Sequence, residues 1–204
     1  MNREEICKNL YGGHVWVRLF ASIRFWTSSF SQIERLIPQK GRILDLGCGY
    51  GIFGNYLALC SKERKVIGVD TDTVKVKNAY KGIKNTVFKV GDATGMNLKN
   101  LSAILLLDVL HHLDSYTQQE KLISDCTKML SKGGKLIISD VDNSPFWKLT
   151  LARFTDFLMY KGDKVYYRYK KDMISLLKVY FTDVKFKKLS KNPFPHIVYI
   201  CKKN

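Results

Sequence analysis

Arg42-Ile43-Leu44-Asp45-Leu46-Gly47-Cys48-Gly49-Tyr50-Gly51 decides how this chain folds. A short apolar run, broken by one acid, ends in glycines at alternate positions. A run of that length predicts a buried strand, and the glycines predict a turn whose backbone passes close to something. Ile52 to Cys60 follows with helical spacing, so the order is strand, glycine turn, helix. Such an order presents backbone N–H groups and a helix N-terminus to a ligand. A second apolar run, Val66-Ile67-Gly68-Val69, ends in Asp70 and Thr71. An acid at the tip of the second strand is where the hydroxyl pair of a ribose is held. The stretch therefore points to a nucleoside-containing cofactor.

Gly49-Tyr50-Gly51-Ile52-Phe53-Gly54 also fits the dinucleotide pattern G-x-G-x-x-G, which keeps an NAD-dependent enzyme as an alternative. Three features favour S-adenosylmethionine. Asp45 stands two residues before Gly47, at a rim where it can receive an ammonium; it would repel a pyrophosphate. Val87-Phe88-Lys89-Val90-Gly91-Asp92-Ala93 predicts a third strand ending in an acid placed for an adenine amino group. Two apolar stretches at the C-terminus, Phe181 to Leu189 and His196 to Cys201, flank the turn-rich Ser190-Lys191-Asn192-Pro193-Phe194-Pro195 and predict an antiparallel hairpin.

Outward from these segments the chain alternates. Strands are expected near 42–47, 66–70, 86–91, 103–109 and 135–141, with helices near 51–60, 72–82, 116–130 and 172–180. Alternation predicts a parallel sheet with helices on both faces, and ligands outside the carboxyl ends of the strands where strand order reverses. Asp45, Asp70, Asp92, Asp108 and Asp140 all fall at or near those ends. Packing alone does not account for them, because a buried acid without a partner is costly.

In these motifs the chain resembles the class I S-adenosylmethionine-dependent methyltransferases. The glycine turn, Asp70, Gly91-Asp92-Ala93, Leu107-Asp108-Val109-Leu110-His111-His112-Leu113 and Lys132-Gly133-Gly134-Lys135-Leu136-Ile137-Ile138 match that family in order and spacing over residues 40–141. The resemblance implies an α/β, Rossmann-like, mostly parallel sheet of seven strands, whose antiparallel last strand is inserted beside the fifth. It implies that Gly47, Cys48, Gly49 and Gly51 lie along the methionine part of the cofactor. Asp45 would receive its ammonium directly or through water, Asp70 would hold its ribose hydroxyls, Asp92 and Ala93 would bind its adenine edge, Asp108 would lie by the methionine part, and Thr71 is a further cofactor-binding candidate. It implies in-line methyl displacement without a metal or a covalent enzyme intermediate. If the acceptor is a hydroxyl, a base helps, and His111, just after the fourth strand, is the better candidate of His111 and His112. The Asn/Asp-Pro-Pro-Tyr/Phe run that marks amino-group methylation of adenine or cytosine is replaced by Asp108-Val109-Leu110-His111, which moves weight towards small-molecule or lipid acceptors.

Composition sets the bounds. The 204 residues suit one domain with one large core, and 46% of them are hydrophobic, which argues against global disorder. The domain divides into an N-terminal helical lid (1–39), a cofactor-binding core (40–141), a substrate cap (142–171) and a C-terminal helix with hairpin (172–204). No run approaches a membrane span, and Met1 to Glu5 lacks the apolar core of a signal peptide. Cys7, Cys48, Cys60, Cys126 and Cys201 form no C-x-x-C pair and no Cys/His cluster has zinc spacing, which points to reduced thiols in the cytoplasm. Cys48 reads as a small packing residue rather than a nucleophile.

Lys plus Arg is 34 against 18 for Asp plus Glu, a net +16. This balance suits nucleic acid, an anionic membrane surface or an acidic substrate, or reflects a solvated lysine-rich surface. Tyr166-Tyr167-Arg168-Tyr169-Lys170-Lys171 could stack bases, meet a lipid interface, or bury its tyrosines beneath a polar rim. RNA methylation and a non-catalytic binding module therefore stand as alternatives. At the N-terminus, Trp16, Leu19, Phe20, Ile23, Trp26, Phe30, Ile33 and Ile37 recur at helical spacing, predicting one or two amphipathic helices whose stripe packs on the sheet domain in preference to a peripheral membrane contact, and such helices can roof a cofactor pocket. His14, Arg18 and Arg24 are candidates to touch a ligand there. Residues 142–171 exceed a simple connection, and Phe146, Trp147, Leu151, Phe154, Phe157, Leu158 and Tyr160 suggest either a cap over an apolar substrate or a satellite core.

Overall fold

The computed structural model describes residues 2–13, 15–92, 98–143, 149–150, 165–189 and 194–204. Helices α1 (Arg3–Asn9), α2 (Val15–Thr27) and α3 (Phe30–Glu34) lead in. Strand β1 (Gly41–Leu46), α4 (Ile52–Cys60), β2 (Arg64–Asp70), α5 (Thr73–Ala79), β3 (Thr86–Val90) and β4 (Leu101–Leu107) follow. A 3-10 turn at Leu110–His112 precedes α6 (Tyr116–Met129) and β5 (Leu130–Val141), and α7 (Lys170–Tyr180), β6 (Asp183–Lys188) and β7 (His196–Lys202) close the fold. The seven strands lie in the order β3-β2-β1-β4-β5-β7-β6. β7 runs antiparallel to β5 and to β6, and every other pairing is parallel. This is the expected Rossmann-like sheet with its C-terminal hairpin.

Strand periodicity sorts the core onto two faces. Ile43, Leu105, Ile137 and Val198 point to the side covered by α1 to α4. Leu44, Leu46, Ile104, Leu106, Ile138 and Tyr199 point to the side covered by α6 and α7. β1 and β4 are buried on both faces, which is why β4 reads as an unbroken apolar run.

The N-terminal region departs from expectation. It holds three helices, with Ser29 in the left-handed region (φ 49°) separating α2 from α3. Phe30, Ile33 and Ile37 are buried as predicted, but Trp16, Leu19, Ile23 and Trp26 face outward. α2 instead buries Ala21 and Phe25, with Val17 and Phe20 partly covered. Apolar residues surround most of α2, so spacing alone offered two faces. The face with small Ala21 allows close approach, and Phe25 makes edge contacts with Phe30 and Tyr56. Cys7 and Tyr11 also belong to this core, so α1 to α3 are part of the folded unit and not a detachable cover.

Candidate active site

The carboxyl ends of β1 and β4, where strand order reverses, open on a cavity of about 330 Å³. One wall is backbone. Gly47 and Cys48 donate their N–H groups to the Val69 carbonyl (2.8 and 3.1 Å), folding the turn back on β2. The Gly49 N–H donates to Asp70 Oδ2 (2.7 Å), and Asp70 Oδ1 accepts from the Asp72 N–H (2.9 Å). Gly47 and Gly49 both have positive φ, for different reasons. A Cβ on Gly47 would meet Val109 Cγ2 at 2.5 Å, whereas a Cβ on Gly49 would meet nothing within 4 Å. Gly47 is thus a packing glycine, and Gly49 leaves open space at the cavity. The Tyr11 hydroxyl donates to the Tyr50 carbonyl (2.9 Å) and accepts from Asn55 Nδ2 (2.8 Å), tying the N-terminal region to the turn.

Asp45 sits at the base of this wall, 3% exposed, and its Oδ2 has no hydrogen-bond partner. Burial, then the charge of Asp70, push its carboxyl up to about 7 against smaller opposing pulls from Arg24 and the Gly54 N–H. A buried carboxylate oxygen without a partner at a cavity is chemically suited to pair with a cation.

The opposite wall is made of side chains. Asp108, at φ 58°, directly follows β4 and is held from two sides. Arg24 of α2 donates to its Oδ2 (2.7 Å), and His196 Nε2 shares a hydrogen bond of 2.6 Å with its Oδ1. Burial pushes this carboxyl up, but His196 and Arg24 outweigh burial and hold it well below the usual carboxylate range. Next to it, His111 is buried, with Nδ1 hydrogen-bonded to Asp140 Oδ1. Asp140 Oδ1 also accepts the Val141 N–H (2.8 Å). The His111 ring lies 5.0 Å from the Tyr167 ring and 4.1 Å from that of His112. Phe20, Ile23, Arg24 and Thr27 of α2 complete the enclosure, with Phe30 and Phe53 behind them.

Asp45, Gly47, Cys48, Gly49, Asp70, Asp108 and His111 therefore meet at one cavity. Burial pushes the Cys48 thiol up, as suits a packing residue. Gly51 is outside the described lining; its missing Cβ makes room for Ala79 (2.6 Å) and Phe88 (2.7 Å), so packing by itself already requires a glycine there. Thr71 and Asp92 are exposed and outside the described lining. Ala93, His14 and the aromatic residues 146, 147, 151, 154, 157, 158 and 160 lie outside the described residues. Arg24 reaches the site, while Arg18 is exposed. Sequence reasoning missed His196 as a site residue and Asp140 as the partner of His111. His196 opens a strand far along the chain, and no local pattern announces it. Asp140 had a signal, as the acid at the end of the fifth strand.

The tyrosine-basic run has an internal role. Tyr167 is buried against His111. Arg168 donates to Gln119 Oε1 (2.7 Å) and pairs with Glu120 (3.1 Å), and its guanidinium lies 4.6 Å from the Tyr116 ring centroid. Of the three expectations, burial of a tyrosine under a polar rim is the one these contacts match.

Comparison with known proteins agrees with this geometry. The family described as "Methyltransferase domain" matches residues 18–180. The chain belongs to that methyltransferase family. An N-methyltransferase NodS from Bradyrhizobium japonicum, solved with S-adenosylhomocysteine, shares the fold (TM-score 0.65, 19% identity, 86% of each chain covered). The ubiquinone biosynthesis O-methyltransferase of Xanthomonas axonopodis pv. citri is 27% identical over 116 residues, 54% of this chain and 47% of that one. A fatty-acid O-methyltransferase of Mycolicibacterium smegmatis is 25% identical over 138 residues, 64% of this chain and 48% of that one. The chain spans about half the length of these curated relatives. S-adenosylmethionine is the cofactor of this family. The unpartnered Asp45 oxygen, the open space at Gly49 and the Asp70 carboxylate on the turn fit its cationic and hydroxyl groups.

Proposed function

We propose that the protein is an S-adenosylmethionine-dependent methyltransferase acting on a hydroxyl or other oxygen of a small, largely apolar or lipidic acceptor. The observation that carries this reading is a buried His111–Asp140 pair on the wall of a cavity otherwise rich in aromatic and aliphatic side chains. Asp45 receives the cofactor ammonium, Asp70 its ribose, and the backbone at Gly49 passes close beside it. When bound, S-adenosylmethionine supplies a methyl group already activated by the sulfonium charge. His111 donates Nδ1–H to Asp140, which fixes its tautomer and leaves Nε2 as the nitrogen that takes the acceptor proton. Arg24 and His196 hold Asp108 in place and tie the α2 roof to the strand ends, excluding water. The O-methyltransferases among the relatives support an oxygen acceptor, and two of their printed names concern apolar molecules.

The engagement of Tyr167 and Arg168 within the fold leaves the RNA reading with little beyond net charge. Methyl-labelled S-adenosylmethionine, offered with long-chain acyl and hydroxylated aromatic acceptors and separately with RNA, decides between them. Label is expected in the solvent-extractable products. Label only in RNA, with activity falling steeply with salt as counterion release requires, would overturn the proposal.

A further inference from the structure

The outward face of α2 is not needed to hold the helix in place. Trp16 is 80% exposed, Trp26 67%, Leu19 49% and Ile23 46%. At 100° per residue these four and exposed Val15 fall within an arc of about 100°. The two indoles alone present roughly 300 Å², the scale of the largest apolar patch on a typical monomer (~300–600 Å²). Such a patch marks a contact surface. Two further features bear on its occupant. Residues 6–33 contain no acidic side chain, and Arg18 stands exposed beside the stripe. Ile23 belongs both to the stripe and to the cavity lining, so the patch runs into the mouth of the site.

We infer that α2 is a membrane-docking helix, lying with this face in the interface of an anionic lipid bilayer. Charge selects this occupant over a second copy of the chain: two protomers at +16 repel each other, whereas an anionic surface attracts each. Tryptophans at both ends of the stripe are the side chains that settle at the headgroup level. Docking this way brings the cavity mouth to the lipid boundary through Ile23, so an apolar acceptor passes from the bilayer into the site without crossing water. This deepens the proposed acceptor class and rests on it for that last step, while the docking itself does not depend on turnover.

The full chain is mixed with phosphatidylcholine vesicles with and without phosphatidylserine, and binding is followed by co-sedimentation and tryptophan emission. Binding to the anionic vesicles is expected, with a blue shift. The paired substitution Trp16→Ser and Trp26→Ser is expected to weaken it about tenfold or more, with S-adenosylhomocysteine affinity and melting temperature unchanged. Absence of vesicle binding by the unaltered chain overturns the inference. So does binding that survives both substitutions, which would make it a general charge effect. A concentration-dependent dimer that the substitutions dissociate, without loss on vesicles, assigns the face to a second copy. Methylation of a water-soluble apolar acceptor without vesicle binding leaves the acceptor reading standing and removes only the docking.

Discussion

The two walls of the cavity are built by different means. The β1–β2 wall is one continuous stretch plus one nearby strand end: Asp45, Gly47, Gly49 and Asp70 lie within 26 positions. Its backbone N–H groups fold the turn onto β2 and Asp70, and it presents one unpartnered acid to the cavity. The β4–β5–β7 wall gathers Arg24, Asp108, His111, Asp140 and His196 from across the chain, and works through paired side chains. The first wall is suited to hold a ligand common to many enzymes, the second to hold and activate what one enzyme alters. On this reading, damage to the first shows in affinity and damage to the second in turnover.

His111 gives the largest separation. His111→Ala should lower kcat by about 10²–10⁴-fold, the usual worth of general-base help, with S-adenosylhomocysteine affinity nearly unchanged. His111→Gln can hydrogen-bond but cannot take a proton at neutral pH. If Gln restores the rate, the residue positions the acceptor, and proximity carries the step. A fall in cofactor affinity matching the fall in rate would erase the distinction between the walls.

Asp45 sharpens the comparison from the other side. Its carboxyl is raised from 3.8 to about 7, so the folded apoprotein binds a proton more tightly there than the unfolded chain. Stability therefore falls as pH rises from about 4 to 7, and the full cost stands above that window. A rise of this size corresponds to up to about 4 kcal/mol at ~1.4 kcal/mol per unit. Asp45→Asn should thus raise the apoprotein's melting temperature at pH 8 and do much less at pH 4. The same change should cost most of the cofactor affinity. In the unaltered protein that affinity should weaken about tenfold per unit as pH drops below 7, because only the carboxylate pairs with an ammonium. Titration calorimetry across pH 5.5–8 reads both; a flat profile would remove Asp45 from the ammonium role.

Asp70→Ala should have the smallest effect, roughly 1.5–3 kcal/mol of cofactor binding, as for hydrogen bonds to a charged group. Part of that loss comes from the turn itself, since Asp70 also accepts the Gly49 and Asp72 N–H groups. Calorimetry showing full affinity in this variant would take the ribose away from Asp70.

The strand, glycine turn and acid of residues 42–51 were enough for the fold class, and they pointed to the edge of the sheet where the cavity opens. They could do so because a parallel sheet, a tight turn and a helix start are dictated by residues adjacent in sequence. His111 was legible too, from its place after the fourth strand. Its partner Asp140 was visible only as one more acid at a strand end, and His196 was not visible at all. Asp140 reaches His111 because β5 lies parallel beside β4, with Leu107 opposite Ser139, and His196 reaches Asp108 because β7 pairs antiparallel with β5, which sets Val141 opposite His196. The glycines looked alike in sequence, yet Gly51 clears room for Ala79 and Phe88 while Gly49 faces the cavity. Helix α2 is the plainest case. Its apolar residues cover more than one face, and only the presence of α1, α3 and α4 against Ala21 and Phe25 decided which face is core and left Trp16 and Trp26 outside. Spacing along a helix tells which residues share a face, whereas the choice among faces belongs to whatever the helix packs against.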